Sequence, residues 1–185
     1  NVGQFSETFK SVIHSGNDVL YLGFSSGLSG TYQSAEMAKQ LVLDEIPSAR
    51  ITTVDTLAAA SGEGYLVKEA VKLRDNGASL DEVVIAMQDL IPRLRSWVMA
   101  DDLYHLARGG RISKTAATVG TLVNIKPIID VDPEGQLRQV GKIRGKKKAL
   151  KTLVTNTLTD FDPAYPHVMV GYSGEPDVAE EVKAE

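Results

Sequence analysis

The sequence predicts an α/β protein in two parts: a parallel α/β layer over residues 1–94, then a partly antiparallel α/β domain over residues 95–185. Three observations carry this expectation. The first half alternates apolar runs and helical periodicity in the order β-α-β-α-α, the order of a parallel layer. The second half places two strand-like runs around Asp132-Pro133-Glu134-Gly135, a hairpin turn. The composition, 43% hydrophobic and 24% charged over 185 residues, is that of a soluble globular chain. A chain of this length buries about 70% of its unfolded surface, so it needs no covalent staple.

Val19-Leu20-Tyr21-Leu22-Gly23-Phe24 is a nearly continuous apolar run, as a strand buried on both faces reads. After Gly27-Leu28-Ser29-Gly30, apolar residues recur at Tyr32, Ala35, Ala38, Leu41 and Val42, which is helical spacing with Ser29 as its cap. Arg50-Ile51-Thr52-Thr53-Val54 is β-branched and predicts the second strand. Residues 62–75 predict a helix on Leu66, Ala70 and Leu73, ended by Asn76-Gly77. Ser79-Leu80-Asp81-Glu82 is a capping box that opens a helix striped by Val83, Val84, Met87, Leu90 and Ile91.

In the second half, residues 97–100 predict a short strand and residues 103–106 a short helix before Gly109-Gly110. Residues 125–131 and 137–143 form the hairpin arms, and a basic helix follows over 146–158. Residues 167–171 predict a further strand, and Ser173-Gly174-Glu175-Pro176 starts a last helix. The chain opens at Asn1 without an initiating Met and stops at Glu185 inside that helix, so a piece of a longer protein is expected.

Composition narrows the chemistry. There is no cysteine, which excludes disulfides and thiolate metal sites and fits a reducing cytoplasm, the expected location. No apolar run reaches the ~20 residues that span a bilayer. The net charge is −4, yet Arg138, Lys142, Arg144, Lys146, Lys147, Lys148 and Lys151 cluster with no acidic residue among them. An acidic body with one basic patch points to a local anionic partner surface. No aromatic residue interleaves the patch, which argues against nucleic acid. Lysines on an exposed helix are otherwise a solvated face.

Ser25-Ser26-Gly27-Leu28-Ser29-Gly30-Thr31-Tyr32 stands at the carboxyl end of a buried strand and opens a helix, where open α/β sheets hold ligands. Glycines allow close backbone approach, amides at the helix start attract an anion, and hydroxyls add hydrogen bonds. A turn that merely caps its helix is the plainer reading. Gly23-Phe24-Ser25-Ser26-Gly27 also matches the G-x-S-x-G nucleophile elbow, so a serine esterase or hydrolase is the alternative. That chemistry needs a histidine downstream, and neither His105 nor His167 has a triad context. His105 reads as packing.

Asp55 ends the second strand and could bind a ligand or cap the next helix. Asp101-Asp102 reads as a helix start, since no third metal ligand has useful spacing. Gly109-Gly110-Arg111-Ile112-Ser113 presents an arginine that can hold a carboxylate or phosphate in a fork, or tie its own loop to backbone carbonyls. No Walker motif is present.

Together these segments resemble the DegV family, which includes the fatty-acid-binding subunits of bacterial fatty acid kinase. The resemblance runs from about Phe5 to Val182. It rests on the serine turn, Val54-Asp55-Thr56 with Ser61-Gly62-x-Gly64, and Asp102-Leu103-x-x-Leu106 with Gly109-Gly110-Arg111-Ile112. Asn124-Ile125-Lys126-Pro127 and Arg144-x-Lys146-Lys147-Lys148 complete it.

The resemblance implies two α/β domains with an acyl chain held between them, and no catalysis by this subunit. No metal or cofactor is implied; a fatty acid is the bound ligand. A separate kinase subunit would phosphorylate that ligand for phospholipid synthesis. Ser25, Ser26 and Ser29 would receive the carboxylate, with Arg111 near the head group or organising its loop. Leu66, Leu103 and Leu122 are candidate tunnel residues, where each buried CH₂ contributes about 0.8 kcal/mol. Arg144, Lys146, Lys147 and Lys148 would form the kinase-docking patch. The family's first strand and its Thr-Ser-Gln-Pro-type loop would precede Asn1, and a glycine-rich segment would follow Glu185. The pocket of this chain alone is therefore expected to be open or incomplete.

Overall fold

In the computed structural model, which describes residues 1–101, 103–113, 124–174 and 176–184, the chain divides into units Asn1–Pro92 and Arg93–Glu185. The first unit runs α1 (Val2–His14), β1 (Val19–Gly23), α2 (Thr31–Glu45), β2 (Ile51–Asp55), α3 (Ala60–Asp75) and α4 (Leu80–Leu90). Strands β1 and β2 pair in parallel from Val19↔Ile51 to Gly23↔Asp55. Phe9, Val19, Ala35, Ala38, Val42 and Ile51 form one buried cluster, into which α1, α2 and the strand starts contribute. Helices α3 and α4 pack on each other and on β1.

Helix α1 was not anticipated, although its signals are in the sequence. Val2, Phe5, Phe9, Val12 and Ile13 recur at helical spacing, and all join or flank the cluster. The Asn1 side chain accepts from Gln4 N at 3.1 Å and completes a capping box. Phe5 meets Tyr21 edge-on with ring centroids 5.0 Å apart, a favoured aromatic geometry.

Strand β1 is less enclosed than its apolar run suggests. Leu20, Tyr21 and Leu22 are half-buried, because β1 has only β2 as a described neighbour. The α4 capping box forms as read: Ser79 N donates to Glu82 Oε2 at 2.8 Å. Ser29, by contrast, does not cap α2. Gly30 holds that position, and Ser29 lies one residue too early, so its hydroxyl meets Thr31 N, at 3.3 Å, and Thr31 Oγ1 instead of an amide inside the helix turn.

The second unit runs β3 (Trp97–Met99), α5 (Tyr104–Arg108), β4 (Ile125–Val131), β5 (Leu137–Arg144), α6 (Lys146–Thr159) and α7 (Asp177–Ala184). Its sheet is antiparallel in the order β3-β4-β5. At the hairpin, Asp132 Oδ1 accepts from Glu134 N and Gln136 N, and Gly135 takes φ +74°, which glycine adopts without strain. A bulge opposite Ile128 and Ile129 leaves Val140 without a ladder partner. Leu103, Ala107, Ile112 and Ile129 form a buried cluster, flanked by Leu137.

Residues 167–171, expected as a strand, form none. Val168 and Met169 are exposed, and β-branched character without a partner strand does not make a ladder. Among the described residues no helix is long and apolar enough to cross a membrane.

Candidate functional site

Parallel pairing sets Gly23 beside Asp55, so the turns that leave β1 and β2 lie side by side. They are laced together. Thr56 donates from its amide to Gly23 O at 3.1 Å and from Oγ1 at 2.7 Å, and Ser25 N donates to Ala58 O at 2.9 Å. Asp55 Oδ1 accepts from Ser26 N at 3.2 Å and from Leu57 N at 3.0 Å. Leu57 and Ala60 both take φ +49°, a left-handed conformation that costs a non-glycine residue about 1–3 kcal/mol. A Cβ added at Gly23 would stand 2.9 Å from ring carbons of Tyr21 and Tyr32, so any larger residue there must displace those rings.

The serine turn consumes most of its own amides. Ser25 O accepts from Leu28 N and Ser29 N at 3.1 Å, and Ser25 Oγ accepts from Gly27 N at 3.2 Å. Ser26 N is bound to Asp55 and Thr31 N to Ser29, so these two amides already have acceptors. The turn also presents hydroxyls: Ser26 and Ser29 are half-buried, and Ser29 shares a 2.8 Å bond with Thr31 Oγ1. Ser25 is fully buried.

That burial bears on the hydrolase alternative. A nucleophile elbow holds its serine exposed, whereas Ser25 is enclosed and its oxygen accepts from the turn. His105 and His167 both belong to the second unit. His105, expected to pack, is exposed instead, because it occupies the outer side of the short α5, with Arg108 3.5 Å from its Nδ1.

Asp55 does not cap α3, since that helix begins five residues later with Ala59 at its cap. Its role as the tie between the two turns escaped the sequence reading. The strand register decides it, and a lone Asp at a strand end does not disclose that register. Beside Asp55 opens a cleft of about 320 Å³, lined by Tyr32, Thr53, Val54, Asp55, Gln88 and Ile91. Burial, then the nearby Glu36 carboxylate, push the Tyr32 phenol up. Thr53 donates to Glu36 and accepts from Lys39 Nζ at 3.3 Å, so this wall is polar.

Of the residues read as tunnel lining, Leu66 is fully buried on α3 and Leu103 is fully buried in the second unit's cluster. Neither borders the cleft. Leu122 and Asp102 lie outside the described residues. Asp101 does not start a helix. Its carboxylate pairs with Lys126 Nζ at 2.6 Å, and that hydrogen bond and charge hold it below its usual range.

Arg111 is exposed in the second unit and donates from its guanidinium to Gly109 O, the loop-tying role weighed above. Arg144 ends β5, and Lys146, Lys147 and Lys148 fill the first turn of α6, all exposed and contiguous. Arg138 is paired with Asp130.

A family model of uncharacterised DegV proteins matches residues 1–185. The chain belongs to the DegV family. The DegV domain-containing protein YteA of Lactococcus lactis is 60% identical over 183 residues, 99% of this chain and 63% of that protein. This DegV chain thus spans less than two thirds of its relative's length. A fatty-acid-binding DegV protein from Thermus thermophilus superposes with TM-score 0.82 and 32% identity, covering all of this chain and 64% of its own. The fatty acid kinase (Fak) B3 protein of Streptococcus pneumoniae, solved loaded with linoleic acid, gives TM-score 0.79 and 26% identity over 86% of this chain and 55% of its own.

Proposed function

We propose that this DegV protein binds a long-chain fatty acid, without catalysis of its own, and presents its carboxylate to a partner kinase. The observation that carries the reading is the hydroxyl-bearing turn at the ends of the parallel strands, in a fold whose solved relatives hold fatty acids. Ser26 and Ser29 supply hydroxyl donors to the carboxylate, and Ser25 forms the buried floor beneath them. Arg111 serves the head-group end or its loop. An acyl tail supplies affinity, at about 0.8 kcal/mol per buried CH₂, and leaves the polar groups to set orientation.

The exposed cations Arg144, Lys146, Lys147 and Lys148 form the docking patch for the kinase. Their placement supports this. Three lysines in the first turn of α6, with no acidic residue there, oppose the helix dipole and so do not serve the helix.

Native mass spectrometry of the full-length protein from a bacterial host, followed by lipid extraction, tests the reading. The expected result is a single fatty acid per chain, lost when Ser25 and Ser26 are both changed to Ala. A lipid-free protein that takes up none, and that reacts at Ser25 with a fluorophosphonate, overturns it in favour of a hydrolase.

A further inference from the structure

We infer that Asp55 is the positioning residue of this site: through hydrogen bonds, not charge, it holds the serine turn in the shape that receives a carboxylate. The inference rests on the fatty-acid reading and goes beyond it. One carboxylate oxygen joins two turns, accepting from Ser26 N on the turn after β1 and from Leu57 N on the turn after β2. The register Gly23↔Asp55 puts it there. Ser26 carries one of the two half-buried hydroxyls assigned above to the carboxylate, so a shift in its backbone moves that hydroxyl.

The second turn is held against its own preference. Leu57 at φ +49° persists only where surrounding bonds over-determine it, and Asp55 supplies one of them. Thr56 supplies the parallel tie, from its amide and hydroxyl to Gly23 O. Electrostatically, Asp55 is the wrong residue to place beside an anionic ligand. Like charges repel by about 1 kcal/mol at 4 Å even in water. Its contribution therefore comes from acceptor geometry. Asn reproduces that geometry without the charge, whereas Ala supplies neither.

The test uses the full-length protein, stripped of lipid and titrated with stearic acid, as wild type, Asp55→Asn, Asp55→Ala and Leu57→Gly. Wild type and Asp55→Asn are expected to bind equally well, or Asn more tightly, and Asp55→Ala at least tenfold more weakly. Amide hydrogen exchange at Ser26 and Leu57 is expected to be slow in the first two and at least tenfold faster in Ala. Leu57→Gly takes the left-handed backbone without strain and keeps the amide bond to Asp55, so it is expected to fold and to bind as wild type does.

Wild-type protein that takes up no stearic acid removes the fatty-acid reading, and this inference with it. Wild-type uptake with equal binding by Asp55→Ala overturns the inference alone. So does Asp55→Asn binding as poorly as Ala, because charge would then be the operative property. Should Asp55→Ala not fold, binding by Asp55→Asn at least tenfold weaker than wild type overturns it.

Discussion

Ser25 and Asp55 show how a residue's role depends on what its neighbours consume. The serine turn was legible because hydroxyls and glycines crowd into eight positions after an apolar run. That the turn spends Ser26 N on Asp55 was not legible, since a hydrogen bond across 29 residues follows strand register. Glu63, in the first turn of α3, gives a residue-scale prediction. Burial pushes its carboxyl above the ordinary value of 4.5. Below that value both folded and unfolded chains keep the proton, and no penalty exists. As pH rises through the folded pKa, the folded state must ionise a desolvated group, and the penalty becomes complete. Glu63→Gln is therefore expected to be more stable than wild type at pH 7, with the difference vanishing towards pH 4. Urea unfolding midpoints across that range measure it; an equal gain at both ends would show that ionisation is not the cause.

At the scale of elements, periodicity and capping did most of the work. The α4 capping box and the β4–β5 hairpin follow from local residues and formed where expected. Helix α1 has the same kinds of signal, but its polar residues Gln4, Ser6, Glu7 and Lys10 dilute them. Residues 167–171 fail for the opposite reason, having strand character and no partner strand among the described residues. Helix α6 carries an element-scale prediction. Replacing Lys146, Lys147 and Lys148 with Glu puts anions where the helix dipole favours them, at about 0.3–1 kcal/mol per charge. The triple variant is expected to melt higher than wild type, by about 1–2 kcal/mol of stability. It is also expected to retain its fatty acid and lose kinase-dependent acyl-phosphate formation. Full activity with the kinase would assign the lysines to a solvated face.

At the scale of the whole molecule, the two-part α/β organisation was legible because the pattern changes character between the halves. The acyl path was not, because leucines that fill a core and leucines that line a tunnel obey the same helical spacing, as Leu66 and Leu103 illustrate. Ligand linkage addresses the path without naming its walls. A carrier's folded state binds fatty acid and its unfolded state does not. Free ligand at a hundred times Kd therefore adds about 2.7 kcal/mol. For a protein of this size each kcal/mol moves the melting temperature by about 2–4 °C. Full-length protein stripped of lipid is thus expected to melt about 5–10 °C below the same protein reloaded with stearic acid, by scanning calorimetry. Fatty acids of increasing length should raise the melting temperature stepwise while each added CH₂ is still buried, then level off where the tail outgrows its enclosure. On the proposed reading, the length at which the rise stops measures how much of the tail is enclosed. A melting temperature indifferent to added fatty acid of any length would count against a carrier.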